Sequence, residues 1–143
     1  MKLSHASLGL ALAVAACAGN PAPGEPGYDY NLDGTYIAEF VGDDGTVFTG
    51  SMTLETLPGG EVTGTMDLVD PLAITGQVGG LIVGSEASFE VTFDIPDQGC
   101  GGIVAGSGVI AAGGGGVEGM FDDITDDCGG APTSISFTLV LDA

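Results

Sequence analysis

From residue 34 onward, apolar and polar side chains alternate with a period of two, and turn-forming residues interrupt the alternation at nearly regular intervals. That period puts successive side chains on opposite faces of a strand, so each run predicts one β-strand with one buried face. The first segment, about 34–41, sets Tyr36, Ala38 and Phe40 against Thr35, Ile37 and Glu39. After Gly42-Asp43-Asp44-Gly45, a second at 46–56 sets Phe48, Gly50, Met52 and Leu54 against Thr49, Ser51, Thr53 and Glu55. Leu57-Pro58-Gly59-Gly60 leads to a third at 61–70, with Val62, Gly64, Met66 and Leu68 on the apolar register. Pro71, which has no N–H for a ladder, ends it.

A fourth segment, about 72–83, carries Leu72, Ile74, Gly76 and Val78 until Gly79-Gly80 blurs the pattern. The fifth, 86–95, is the clearest, with Ala87, Phe89, Val91, Phe93 and Ile95 facing one way. A sixth at about 102–112 is small and apolar on both faces, a seventh spans 117–125, and an eighth at 133–142 places Ile135, Phe137, Leu139 and Leu141 together. No helical period of 3.6 appears after the first sixteen residues. The expected class is all-β, a single up-and-down antiparallel barrel of about eight strands over 32–143, with a two-sheet sandwich as the alternative. Glycines on the apolar register (Gly50, Gly64, Gly76, Gly119) suit the tight bends of barrel corners. This architecture resembles the lipocalin-type and avidin-like barrels at the level of fold only. A membrane-spanning barrel is not expected, because the chain has no Trp and three Tyr, too few for aromatic girdles.

Upstream, Lys2 precedes an apolar run through Leu8, Leu10, Ala11, Leu12, Ala13 and Val14. This is the length of a secretory signal and short of the roughly 20 apolar residues that cross a bilayer as a helix. Val14-Ala15-Ala16-Cys17 then resembles the lipobox of bacterial lipoproteins: an aliphatic residue, two small residues, then cysteine. The resemblance implies removal of 1–16, acyl chains on Cys17 and attachment to a membrane without a spanning segment. Two or more chains, each stabilised by about 0.8 kcal/mol per buried CH₂, anchor stably where one does not. The alternative is an ordinary signal with a cleavage site ending at Ala13, Ala15 or Ala16 and an incidental Cys17. Ala18, not Asp, at the following position resembles lipoproteins sent on to the outer membrane. Residues 17–31, with Pro21, Pro23, Gly24, Pro26 and Gly27 and no apolar period, read as a flexible tether.

Cleavage would remove Lys2 and His5, the chain's single basic residue and single histidine, while all 20 Asp and Glu lie beyond Cys17. The remaining 127 residues, 143 less 16, suffice for one domain with a core. Without cations to neutralise phosphates, nucleic acid is excluded as a partner. The same absences remove the Ser-His-Asp triad, the lysine Schiff base, the arginine clamp and the usual nitrogen ligands of zinc. A paired-carboxylate hydrolase survives on residue types alone, but without the Trp that sugar sites recruit. No enzyme is expected.

Four groups remain as candidates. Cys100 and Cys128 form an even pair once Cys17 is lipidated, and an exporting compartment favours a disulfide between them. A candidate Ca²⁺ site is Asp122-Asp123-Ile124-Thr125-Asp126-Asp127, whose crowded carboxylates a hard cation would relieve; the plain alternative is a solvated hairpin tip. Asp29, Asn31 and Asp33, in D-x-N-x-D-G spacing, open like an EF-hand loop, but Phe40 stands where its closing glutamate belongs. Phe48, Phe89, Phe93 and Phe137 share the inward register and either line an apolar pocket or fill the barrel. The expected role is an anchored envelope module that is structural or binds a protein partner. A lipocalin-like carrier of a small apolar ligand is the alternative and a Ca²⁺-dependent binding module the second; a connected interior cavity would favour the carrier.

Overall fold

Each predicted strand forms close to its expected bounds. A computed structural model describes residues 19–142, so the signal segment 1–16 and Cys17 lie outside the described residues. The strands are β1 (Gly34–Gly42), β2 (Val47–Thr56), β3 (Glu61–Asp70), β4 (Ile74–Val83), β5 (Glu86–Ile95), β6 (Cys100–Ile110), β7 (Gly116–Asp126) and β8 (Ile135–Leu141). Each pairs antiparallel with its sequence neighbour, and β8 returns to β1 from Tyr36↔Leu141 to Gly42↔Ile135. The protein is a closed eight-stranded up-and-down barrel, which leaves no unpaired sheet edge.

Inside, the alternation becomes layers. Tyr36, Ala38 and Phe40 from β1 are buried beside Met52 and Leu54 of β2 and Leu139 and Phe137 of β8. At mid-barrel Phe40, Phe89, Phe121 and Phe137 form one aromatic cluster. Phe121 and Phe137 stack at 4.6 Å, and Phe89 meets Phe137 edge-on at 5.9 Å. Such pairs add roughly 0.5–1.5 kcal/mol each beyond the area they bury. Glycines opposite these rings make room for them: Phe89 sits across from Gly80 and Gly106, and Phe137 from Gly119. At Gly64 a Cβ would collide with the Thr53 carbonyl of the adjacent strand, so the close approach there requires glycine.

Two bulges break the register, at Thr49/Gly50 between β2 and β3 and at Ala105/Gly106 between β6 and β7. Each adds a residue to one strand and resets its in–out phase. On β7, Phe121 points inward, Asp122 and Asp123 are both exposed, and Ile124 then pairs with buried Val104. On β3 the extra residue leaves Val69 and Asp70 both exposed after buried Leu68.

The segment read as a flexible tether is ordered from the start of the described residues and closes one end of the barrel. Its turns bond to all three hairpins at that end. Gly59 N–H donates to Pro23 O at 3.1 Å, Tyr28 Oη–H to Gly84 O at 2.7 Å, and Gly113 N–H to Asp29 O at 2.9 Å. The Asn31 side chain ties the turns internally, accepting from Gly24 N–H and donating to Glu25 O, both at 2.8 Å. Gly24 holds φ +86° where a Cβ would overlap the Leu57 carbonyl, so the cap can sit this low only with glycine there. Leu32 is fully buried, its N–H and C=O both bonded by the Thr56 hydroxyl. Composition alone suggested flexibility because these bonds reach 36 to 84 residues along the chain, where no local pattern records them.

Candidate functional site

Among the described residues, no such plug covers the end opposite the N-terminal cap. That end is built from the turns β1–β2, β3–β4, β5–β6 and the longer β7–β8 loop, residues 127–134. Between them a cavity of about 310 Å³ opens into the barrel mouth. That volume is at the small end of ligand pockets, which run from roughly 300 to 1,000 Å³. Its wall is mainly apolar: Phe48, Met66, Leu72, Phe93, Ile95 and Ile124 face it, with Phe40 and Val104 beneath. Phe48, Leu72, Phe93, Ile95 and Ile124 are only partly buried, so apolar surface is left uncovered here.

The aromatic quartet anticipated from the register therefore divides by depth. Phe48 and Phe93 line the cavity. Phe89 and Phe137 are 3% exposed and belong to the packed cluster that forms its floor. Phe40 and Ile124 complete the lining. Ile124 escaped the sequence pattern because the β7 bulge shifts it inward.

Cys100 and Cys128 are bonded across 28 residues, with Cα atoms 5.1 Å apart. The bond joins the start of β6 to the residues just after β7, strands already paired as Gly102↔Asp126. It sits at the rim, and Cys128 contributes to the cavity wall. The β7–β8 loop is also tied to the neighbouring β1–β2 turn along the rim, where the Thr133 N–H and hydroxyl both donate to the Asp43 carboxylate. The Thr133 hydroxyl holds the Asp43 carboxyl below its ordinary value.

The acidic candidates do not converge. Asp122 and Asp123 lie within β7 on the outer wall, not on a hairpin tip. Asp126 Oδ1 accepts from Cys128 N–H at 2.8 Å and Gly129 N–H at 3.1 Å, and Asp127 Oδ1 accepts from Gly101 N–H at 2.8 Å. These carboxylates shape the turn after β7. Asp127 does lie with Cys100 and Cys128 in a cluster of ligand-type atoms, but sulfurs bonded to each other offer no thiolate to a metal. At the opposite end of the barrel, Asp33 Oδ1 accepts from Thr56 N–H, Asn31 braces the cap and Asp29 uses its backbone carbonyl. The D-x-N-x-D-G residues thus brace the capped end, where Asn31 Oδ1 and Asp33 Oδ1 each accept from a backbone N–H.

Comparison with known proteins returns no matching family model, no matching curated protein and no matching solved structure. The likeness to lipocalin-type barrels rests on strand number and connectivity alone.

Proposed function

We propose that the protein is a non-catalytic, membrane-tethered binder of a small apolar ligand, held in the open mouth of the barrel. The observation that carries this reading is the cavity of about 310 Å³ with its partly buried Phe48, Leu72, Phe93 and Ile124. Uncovered apolar side chains converging in a concavity are costly in water unless something fills it. Pro23, the sixth residue after Cys17, is bonded to the capped end, so a tether to the lipid would leave the barrel from that side. The mouth would then face away from the membrane. Carboxylates at mid-wall, such as Glu39 and Glu90, fit a barrel standing in water. A protein-docking module has weaker support: on the outer wall exposed Ile37 and Val140 pair directly, but Val83 and Val109 are separated by Glu86, so no broad apolar patch forms among the described residues.

Two measurements test the proposal. A neutral environment-sensitive naphthylamine dye should bind saturably, one per barrel, and lose binding in Ala131→Trp, which places an indole in the mouth. Dye binding that never saturates, or that Ala131→Trp leaves intact, would refute a mouth pocket. Separately, Cys17→Ser should release the protein from membranes; a variant that stays with salt-washed membranes would remove the tether from the reading.

A further inference from the structure

We infer that the mouth selects amphipathic cations, molecules with a short apolar body and one ammonium-like head, over neutral or anionic molecules of the same shape. The inference rests on the mouth being a ligand pocket and adds the chemical class of its occupant. Within the mainly apolar wall stand two carboxylates, Asp44 and Asp126, with Thr46 and Gln98 as neutral polar side chains. The β7 bulge turns Asp126 inward opposite Gly102, which has no side chain to cover it. Asp44 is fixed by accepting from Thr46 N–H at 3.0 Å. In each, Oδ1 takes the backbone bonds and Oδ2 has no hydrogen-bond partner among the described residues.

No positive charge answers them. Residues 19–142 contain no Lys, Arg or His, while Asp70, Asp94 and Asp97 lie in or next to the turns around the same opening. A concave site with low-dielectric walls and charges of one sign concentrates the field within it. An anion is repelled there, and a neutral molecule gains only from the apolar wall. An organic cation gains from both, and Phe48 and Phe93 stand in the same wall as aromatic neighbours for its head.

Isothermal titration of the intact domain with hexylammonium, hexanol and hexanoate at constant ionic strength tests this. Hexylammonium should bind about tenfold tighter than hexanol, the scale of one partly shielded ion pair, and hexanoate should bind weakest. Asp44→Asn with Asp126→Asn keeps the Oδ1 acceptors and should bring hexylammonium to within about twofold of hexanol, leaving hexanol affinity unchanged. Glu39→Gln with Glu118→Gln on the outer wall removes the same charge elsewhere and should preserve the preference. Equal binding of hexylammonium and hexanol by the native protein overturns the inference and leaves the pocket standing. A preference that survives in the Asp44/Asp126 variant, or falls equally in the outer-wall variant, overturns it too. Binding of neither probe overturns the pocket and this inference together.

Discussion

Replacing Cys100 and Cys128 together with serine removes the covalent tie between the start of β6 and the turn after β7. Both residues are only partly buried, so the new hydroxyls stay hydrated and the barrel keeps its ladder from Gly102↔Asp126 to Ile110↔Val117. What changes is the unfolded chain, which regains the freedom of a 28-residue loop. In the chain-entropy description that loop is worth about 3.6 kcal/mol at 25 °C. With an unfolding entropy near 2.1 cal/mol/K per residue, the melting temperature should fall by about 14 °C. Glycine-rich β6 contributes few side-chain contacts of its own to offset the loss. The assay is calorimetric melting of the double variant beside the native protein under non-reducing conditions, with urea unfolding in parallel. Because the effect acts through the unfolded state, the urea m-value should rise as the midpoint falls. A drop under about 3 °C with an unchanged m-value would refute the loop-entropy reasoning. Alkylation of both thiols in the unreduced native protein would refute the bond itself.

Tyr36→Phe deletes the buried hydroxyl that donates to Gly114 O at 2.8 Å and should cost about 1–2 kcal/mol in urea unfolding; an unchanged midpoint would show that the bond contributes nothing. Burial raises the Tyr36 pKa above 10.0, so the unfolded chain ionises first and stability should fall as pH climbs past that value, a loss Tyr36→Phe should lessen. The Asp43 pKa is lowered from 3.8 by the Thr133 hydroxyl, so its contribution is present above 3.8 and is lost as pH falls through the lowered value; Thr133→Val should flatten acid melting curves there, and an identical acid limb would remove that tie. With no basic side chain among residues 19–142, carboxylate repulsion has no internal counter-charge, and 1 M NaCl should raise the melting temperature. At constant ionic strength, calcium, magnesium and chelator should then give equal midpoints; a rise specific to calcium would restore a cation site at 122–127.

Strand number, order and inward faces were legible along the chain because they are local: period-two alternation and turn residues act on immediate neighbours. The sequence also determined the chemistry that is absent, since no fold supplies a histidine or lysine that residues 19–142 lack. Tertiary structure alone decided the rest. Depth divided the phenylalanines, because one register cannot tell Phe93 at the mouth from Phe89 at the floor. The β7 bulge reset the in–out phase along the strand and brought Ile124 and Asp126 to the cavity, since a bulge arises from fitting one strand to its partner. The residues from Pro21 to Asn31 became a cap through bonds to the turns at Gly59, Gly84 and Gly113, although Tyr28 and Tyr30 were an apolar signal within an otherwise polar stretch. Alternation is a property of neighbours along the chain, whereas closure, phase and capping depend on residues that meet only when the sheet rolls shut.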